Sequence, residues 1–312
     1  MHHGFMLIAL AAASSLMTQD SREQARELAG GRVAQPQQLR LAAVPKPVGP
    51  RRALFNGRDL SGWNGWLGYP DPAVTYRAQP GATPLGTSRD LGEHFAVREI
   101  DGAPALWVKG ETWGSLVHQE DLRDYHLRLE FKWGGRVWPP RLTEPRNNGL
   151  LYHTHGRPGA VFGTWSPSME FEIMTGSTGM LVAVGRDVRG RTDVAFDPTI
   201  IAPHLRFRMS GREVDLVNGT PTWNVEAARD AERPVGSWNT LDLYVLGDRA
   251  VHVVNGVPVM AVRDIATIDD AGVRRPLTRG RIQLQSEGAE TWFRNITVEP
   301  IRSLPRIVAI KG

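Results

Sequence analysis

Glu170 and Glu172 stand two residues apart in Ser168-Met-Glu-Phe-Glu-Ile-Met174. Alternation in an extended strand puts both carboxylates on one face and Met169, Phe171 and Ile173 on the other. The spacing separates them by about 7 Å, between the roughly 5 and 9 Å typical of retaining and inverting glycoside cleavage. Like charges so placed push one pKa upward, dividing acid and base roles between the two. The same pattern also describes an exposed glutamate pair on an outer sheet.

Just upstream, Asn147-Asn-Gly-Leu-Leu-Tyr-His-Thr-His155 brings the amides of Asn147 and Asn148 close in sequence to His153 and His155. On a regular strand the two histidines share a face. That placement suits acid–base work, a hydrogen bond to a sugar hydroxyl, or ligation of a divalent metal, although no local motif supplies a third ligand. A glycine-rich loop follows to Trp165, whose ring could stack on a sugar or fill a core. No phosphate-cradling loop, HExxH, EF-hand loop or GxSxG elbow is present.

The elements that must position these residues are strands. Tyr125-His-Leu-Arg-Leu-Glu-Phe-Lys-Trp133 alternates with Tyr125, Leu127, Leu129, Phe131 and Trp133 on one face, and His126, Arg128, Glu130 and Lys132 on the other. Leu241–Leu246 and Ala250–Asn255 read as a hairpin around Gly247-Asp248-Arg249, and Asn255-Gly256 as a second tight turn into Val257–Met260. Arg281–Gln285 and Thr291–Val298 read as a further strand pair linked through Ser286–Glu290. After residue 53 no helical period runs beyond about three turns, and many short strands without helices predict a sandwich or jelly roll.

The 312 residues carry 33 Gly, 22 Pro and 10 Trp, a composition suited to turns and strands. The net charge is +4 with no basic run, so the footprint of a nucleic-acid binder is missing. The absence of cysteine excludes disulfides and thiolate chemistry. Phe5 to Ala13 is an apolar run of signal-peptide length ending in Ala11-Ala12-Ala13, which predicts a signal over 1–18 and a periplasmic or secreted protein. No other run is long enough to span a bilayer. Residues 19–52 are polar, compatible with a short helix closed by Gly30-Gly31 and then Pro-rich. The folded unit is expected over 53–300, with a tail at 301–312.

Leu54-Phe-Asn-Gly-Arg-Asp-Leu-Ser-Gly-Trp63 resembles the opening signature of the 3-keto-disaccharide hydrolase family. Later blocks agree in order: Gly114–Glu120, Asp124–Phe131, Asn147–Leu150, Glu170–Ile173, Trp238-Asn239, Val254–Gly256, Gly280–Gln285 and Phe293–Ile296. The resemblance implies an all-β, concanavalin-A-like jelly-roll sandwich, and cleavage of glycosides oxidised to a ketone at carbon 3. It places Glu170 at the family's Glu, as general base, with His153, His155 or Glu130 to donate to the leaving group or polarise the ketone. Asn147, Asn148, His155, Glu172, Trp165, Gln285 and Glu287 are then the expected substrate contacts. Departures are Glu172 for a usual Gln, Thr175 for Asp, His153 for Arg, and Ser286-Glu287-Gly288 for Asp-His-Gly. An insertion, Arg136 to Arg146, lengthens the loop before Asn147.

Two readings compete with an exported glycoside-cleaving enzyme. One is a non-catalytic carbohydrate-binding sandwich. The other is a laminarinase-type hydrolase, whose E-x-D-x-x-E strand is absent because no acid follows Glu172 by three. No cofactor is required by the residues, and a divalent metal enters only through the histidine pair.

Overall fold

The computed structural model describes residues 21–310 apart from 36, 78–80 and 88–90. The signal expected over 1–18 lies outside the described residues. The architecture is the antiparallel jelly-roll β-sandwich that strand alternation predicts. A seven-stranded sheet runs in the order Asn224–Val225, Leu181–Val184, Ser168–Met174, Asn147–Thr154, Arg281–Ser286, Gly114–His118 and Trp63–Leu67. A twelve-stranded sheet packs behind it, with Tyr125–Val137 at its centre between Asn239–Leu246 and Ala289–Pro300.

The core lies between the sheets. From the back sheet it takes Tyr125, Leu127, Leu129, Phe131 and Trp133, the apolar set of the alternating strand, all buried. From the front sheet it takes Leu150, Tyr152, Met169, Phe171 and Ile173. Each such side chain contributes about 1.5–3 kcal/mol of transfer free energy, so register is strongly fixed: a one-residue slip would bury the opposite face.

Both expected turns form. Leu246 pairs with Arg249 and Val254 with Val257, and Asn255 and Gly256 both have positive φ, as a type I′ turn requires. The strand pair expected across Ser286–Glu290 does not form. Arg281–Ser286 belongs to the front sheet and pairs with Gly114–His118 and Asn147–Thr154, whereas Ala289–Pro300 belongs to the back sheet. The link crosses between layers at Gly288, whose φ is +90°, and the Ser286 hydroxyl donates to Thr112 O at 2.7 Å.

Residues 21–28 are helical and end at Gly30 and Gly31, both at positive φ. Gln38–Ala43 pairs with Arg306–Ile310, so the two flanks of the sandwich meet in a two-stranded ribbon. Leu41, Leu304 and Ile307 lay that ribbon on Tyr244, Val251, Val253 and Ile301, on the outer side of the back sheet.

Candidate active site

The site sits on the face of the seven-stranded sheet turned away from the back sheet. Register builds it: Asn147 pairs with Met174, Gly149 with Glu172 and Leu151 with Glu170, so these six share that face. Both strands are buried along their whole length, because segments carrying Tyr76, Arg141, Phe162 and Trp165 cover the outer side. The result is a pocket of about 450 Å³ that contains Glu170, Glu172, Gln285, Glu287 and Asn147. Glu170, Glu172 and Glu287 are 3%, 5% and 4% exposed, which rules out the exposed-pair alternative.

Three carboxylates share this pocket with one cation. Arg141 donates to Glu287 through Nη2, to Glu144 Oε2 at 3.1 Å through Nη1, and stacks 5.2 Å from the Trp113 ring. Asn147 Nδ2 and the Tyr76 hydroxyl also donate to Glu287 Oε1, at 3.3 and 3.4 Å. Burial raises the Glu287 carboxyl, and Arg141 pulls it back. Burial raises Glu172 to about 8, helped by the Glu287 charge and opposed by Arg141 and an Asn147 hydrogen bond. Glu170 is pushed further up by burial and then by Glu172 and Glu287. One guanidinium balances one carboxylate, so the remaining pair retains protons at neutral pH.

Gln285 lies in hydrogen-bonding range of Glu170. Glu170 Oε1, Gln285 Oε1 and Asn147 Oδ1 are buried without partners. A cluster of orphan acceptors at the base of an open pocket is what a ligand's hydroxyls would satisfy. Trp165 stacks on Trp113 at 5.9 Å, and Tyr76 packs edge-on to Trp113 and Phe162 at the mouth.

Four expected site residues lie elsewhere. His153 is fully buried at φ +52°, and burial drives its pKa down to about 4. The cause is a bulge: Arg281 and Gln283 oppose Thr154 and Leu151, leaving an extra residue on the longer strand. Gly280 permits it, since a Cβ there would stand 2.5 Å from the His153 carbonyl carbon. The bulge also breaks the shared face of the two histidines. His155 instead bonds Asp187 Oδ2 at 2.7 Å through Nε2 and His153 O at 3.0 Å through Nδ1, so the pair cannot chelate one metal ion. Among the described residues no group of three or more His, Cys, Asp or Glu is placed to hold a metal. Glu130 is on the outer face of the back sheet, bound to Arg294 at 2.6 Å and Asn295 at 3.1 Å. Asn148 points into the sandwich, where Oδ1 accepts from the Glu287 N–H at 2.8 Å and Nδ2 donates to Thr291 and Ala289. It positions Glu287 rather than touching the pocket.

Arg141 and Tyr76 were not singled out by sequence reasoning. Arg141 lies in the insertion, held down by Trp138, whose backbone N–H donates to Gly288 O and whose indole donates to Lys109 O. The available signal was an insertion running into a strand rich in carboxylate neighbours, which needs a cation from somewhere.

The sequence profile of the 3-keto-alpha-glucoside-1,2-lyase-like domain matches residues 50–299. No curated protein sequence matches the chain. Among solved structures, a provisionally named glycosyl hydrolase from Parabacteroides distasonis is 16% identical, with 81% of this chain and 100% of that one covered and a TM-score of 0.44. A second from the same organism is 14% identical over 81% and 94%, with a TM-score of 0.46. A Bacillus subtilis protein with a galectin-like fold is 12% identical over 84% and 100%, with a TM-score of 0.42. All three are remote, and the chemistry of the pocket rests on this chain's own residues.

Proposed function

The chain belongs to the 3-keto-alpha-glucoside-1,2-lyase-like domain family, and from that premise we propose that it is an exported carbohydrate-active enzyme that cleaves 3-keto-glycosides by elimination and hydration. The observation that carries this reading is the buried trio of Glu170, Glu172 and Glu287 around a single Arg141, with orphan acceptors facing the pocket.

A ketone at C3 acidifies the C2 proton. Glu170, with its unpartnered Oε1, takes that proton once the Glu170–Glu172 pair has lost one of its two protons. The electron pair passes through the enolate to form the C1–C2 double bond, and the C1–O bond breaks. Glu172, protonated because of burial, gives its proton to the departing oxygen. Arg141 Nε, buried without a partner, is the donor available to the developing enolate oxygen, while Glu287 holds the guanidinium in place. Water then adds, hydroxide to C1 and the proton back to C2.

Purified full-length protein should release free sugar from a 3-keto-glucoside and, in deuterated water, place deuterium at C2 of the product. Direct hydrolysis would label C2 no faster than the free 3-keto sugar exchanges without enzyme. Glu170→Gln should lower kcat by at least about a thousandfold, the scale of removing a general base with its electrostatic role, with affinity kept within tenfold. Full activity in that variant overturns the base assignment. Binding without turnover of any 3-keto-glycoside supports the carbohydrate-binding reading. Export rests on the apolar run from Phe5 to Ala13, and recovery of the protein solely in the cytoplasmic fraction would contradict it.

A further inference from the structure

Two sides of the pocket differ in kind. Every carboxylate and amide that points at the centre comes from the side carrying Asn147, Glu170, Glu172, Gln285 and Glu287, with Arg141 above. Beyond the Glu170 strand the sheet turns apolar. Leu181–Val184 places Val182 directly across the ladder from Glu170, and Val184 across from Ser168. The edge strand Asn224–Val225 follows, with Trp223 just before it.

Met174, Met180, Val182 and Val184 belong to a buried hydrophobic cluster with Trp165 that is separate from the sandwich core. At the rim Ile201 and Trp223 stand 59% and 39% exposed. Of the polar groups on this side, the Asn218 amide already donates to Ala183 O at 2.9 Å, which leaves Trp165 Nε1 and, on the edge strand across from Val182, Asn224 Nδ2 as buried donors without partners. A second sugar ring placed here would lose water from several hydroxyls and find only these two donors for them, which a specific site avoids. An aromatic ring meets the opposite situation, with the exposed Trp223 indole at the rim and two methionine sulfurs suited to ring contacts. A cavity of this size accommodates a ligand of two rings.

We propose that this apolar side is the leaving-group subsite and that it takes an aryl aglycone, so that the preferred substrate is a 3-keto aryl glycoside and not a 3-keto disaccharide. The assignment rests on the proposed function for which bond is cleaved, and on the pocket alone for which group is bound.

The test separates the two. Three 3-keto C-glucosides, in which a methylene replaces the leaving oxygen and cleavage cannot occur, carry a phenyl ring, a cyclohexyl ring or a second glucose. Calorimetry on the full chain should show the phenyl compound binding at least tenfold tighter than the diglucoside and severalfold tighter than the cyclohexyl one. In the double variant Ile201→Ser, Trp223→Ala, whose sites are exposed and whose folding is checked by its melting curve, the phenyl advantage should fall below threefold. Equal or tighter binding of the diglucoside overturns the proposal, as does an undiminished phenyl advantage in the variant or no binding of any analogue. Cyclohexyl equal to phenyl replaces the aryl requirement with a merely apolar one and overturns it as stated. Turnover of the matching O-glycosides reads the other premise. Cleavage that favours the diglucoside sinks the aglycone assignment and leaves the proposed reaction standing. Phenyl-selective binding with no cleavage does the reverse.

Discussion

Gly149 has only a hydrogen where its strand neighbours carry side chains, and two acceptor oxygens converge on that gap. A Cβ built there would lie 2.1 Å from Glu170 Oε1 and 2.5 Å from Gln285 Oε1. Gly149→Ala should therefore displace both groups, lowering kcat/KM at least tenfold in steady-state assays and destabilising the fold by about 1–3 kcal/mol through overpacking. Glu172 offers a prediction of opposite sign. Its carboxyl rises from 4.5 to about 8 on folding, chiefly through burial, so the native state holds its proton more tightly than the unfolded chain. Stability from this group is complete below about pH 4.5 and is lost as pH rises through about 8. Glu172→Gln removes that loss, so Tm should rise by several degrees at pH 8 and change little at pH 5, as read by parallel melting curves. A lower Tm at pH 8 would show that the charge is better accommodated than its burial implies. The same burial governs activity. The pair must lose one proton before Glu170 can act as base, so kcat/KM should climb as pH rises from 6 through about 8, with a midpoint that belongs to the Glu170–Glu172 pair. A profile already flat at pH 6 would contradict the raised values.

At the scale of elements, the front-sheet strand of Ser168–Met174 and the central strand of Tyr125–Val137 were legible because each buries a period-two apolar face. The Asn255-Gly256 turn was legible because few other dipeptides tolerate two positive φ angles in succession. Alternation cannot register an added residue, so the bulge that turns His153 inward was invisible, and with it the fate of His155. Nor does alternation say which sheet a strand joins. Arg281–Ser286 and Ala289–Pro300 look like a hairpin in one dimension and lie in different layers in three. The short 3-10 helix Arg141–Thr143 was hidden for another reason: its role is to supply charge to groups far away in sequence. Replacing that charge tests the element. Arg141→Met removes the cation that lowers all three carboxyls, so the midpoint of the pH–rate profile should move up by about one unit or more. An unmoved midpoint would mean that Glu287 alone absorbs the Arg141 charge.

On the whole molecule, chemistry and stability are assigned to opposite faces. The front sheet carries the pocket on its outer side, while the outer side of the back sheet is partly covered by the ribbon of Gln38–Ala43 and Arg306–Ile310. The sequence showed these flanks only as a Pro-rich stretch and a tail, because a two-stranded ribbon with about 260 residues between its halves leaves no local pattern. Ribbon and sheet bury Leu41, Leu304 and Ile307 together with Tyr244, Val251, Val253 and Ile301. Beneath them His126 stacks on Tyr244 at 4.1 Å and bonds Asp242 at 2.8 Å and Glu299 at 3.0 Å. Removing residues 306–312 takes away one half of the ribbon, leaves Gln38–Ala43 without its partner and uncovers part of that patch. Partial burial of about two large aliphatic side chains is worth roughly 2–4 kcal/mol, so the truncated chain should melt several degrees lower. Its kcat/KM at a temperature well below the transition should stay within twofold, because the ribbon and the carboxylate pocket lie on opposite outer faces of the sandwich. A truncation that lowers activity without lowering Tm would show that the back face is coupled to the pocket through the core, and that the division of labour between the two sheets does not hold.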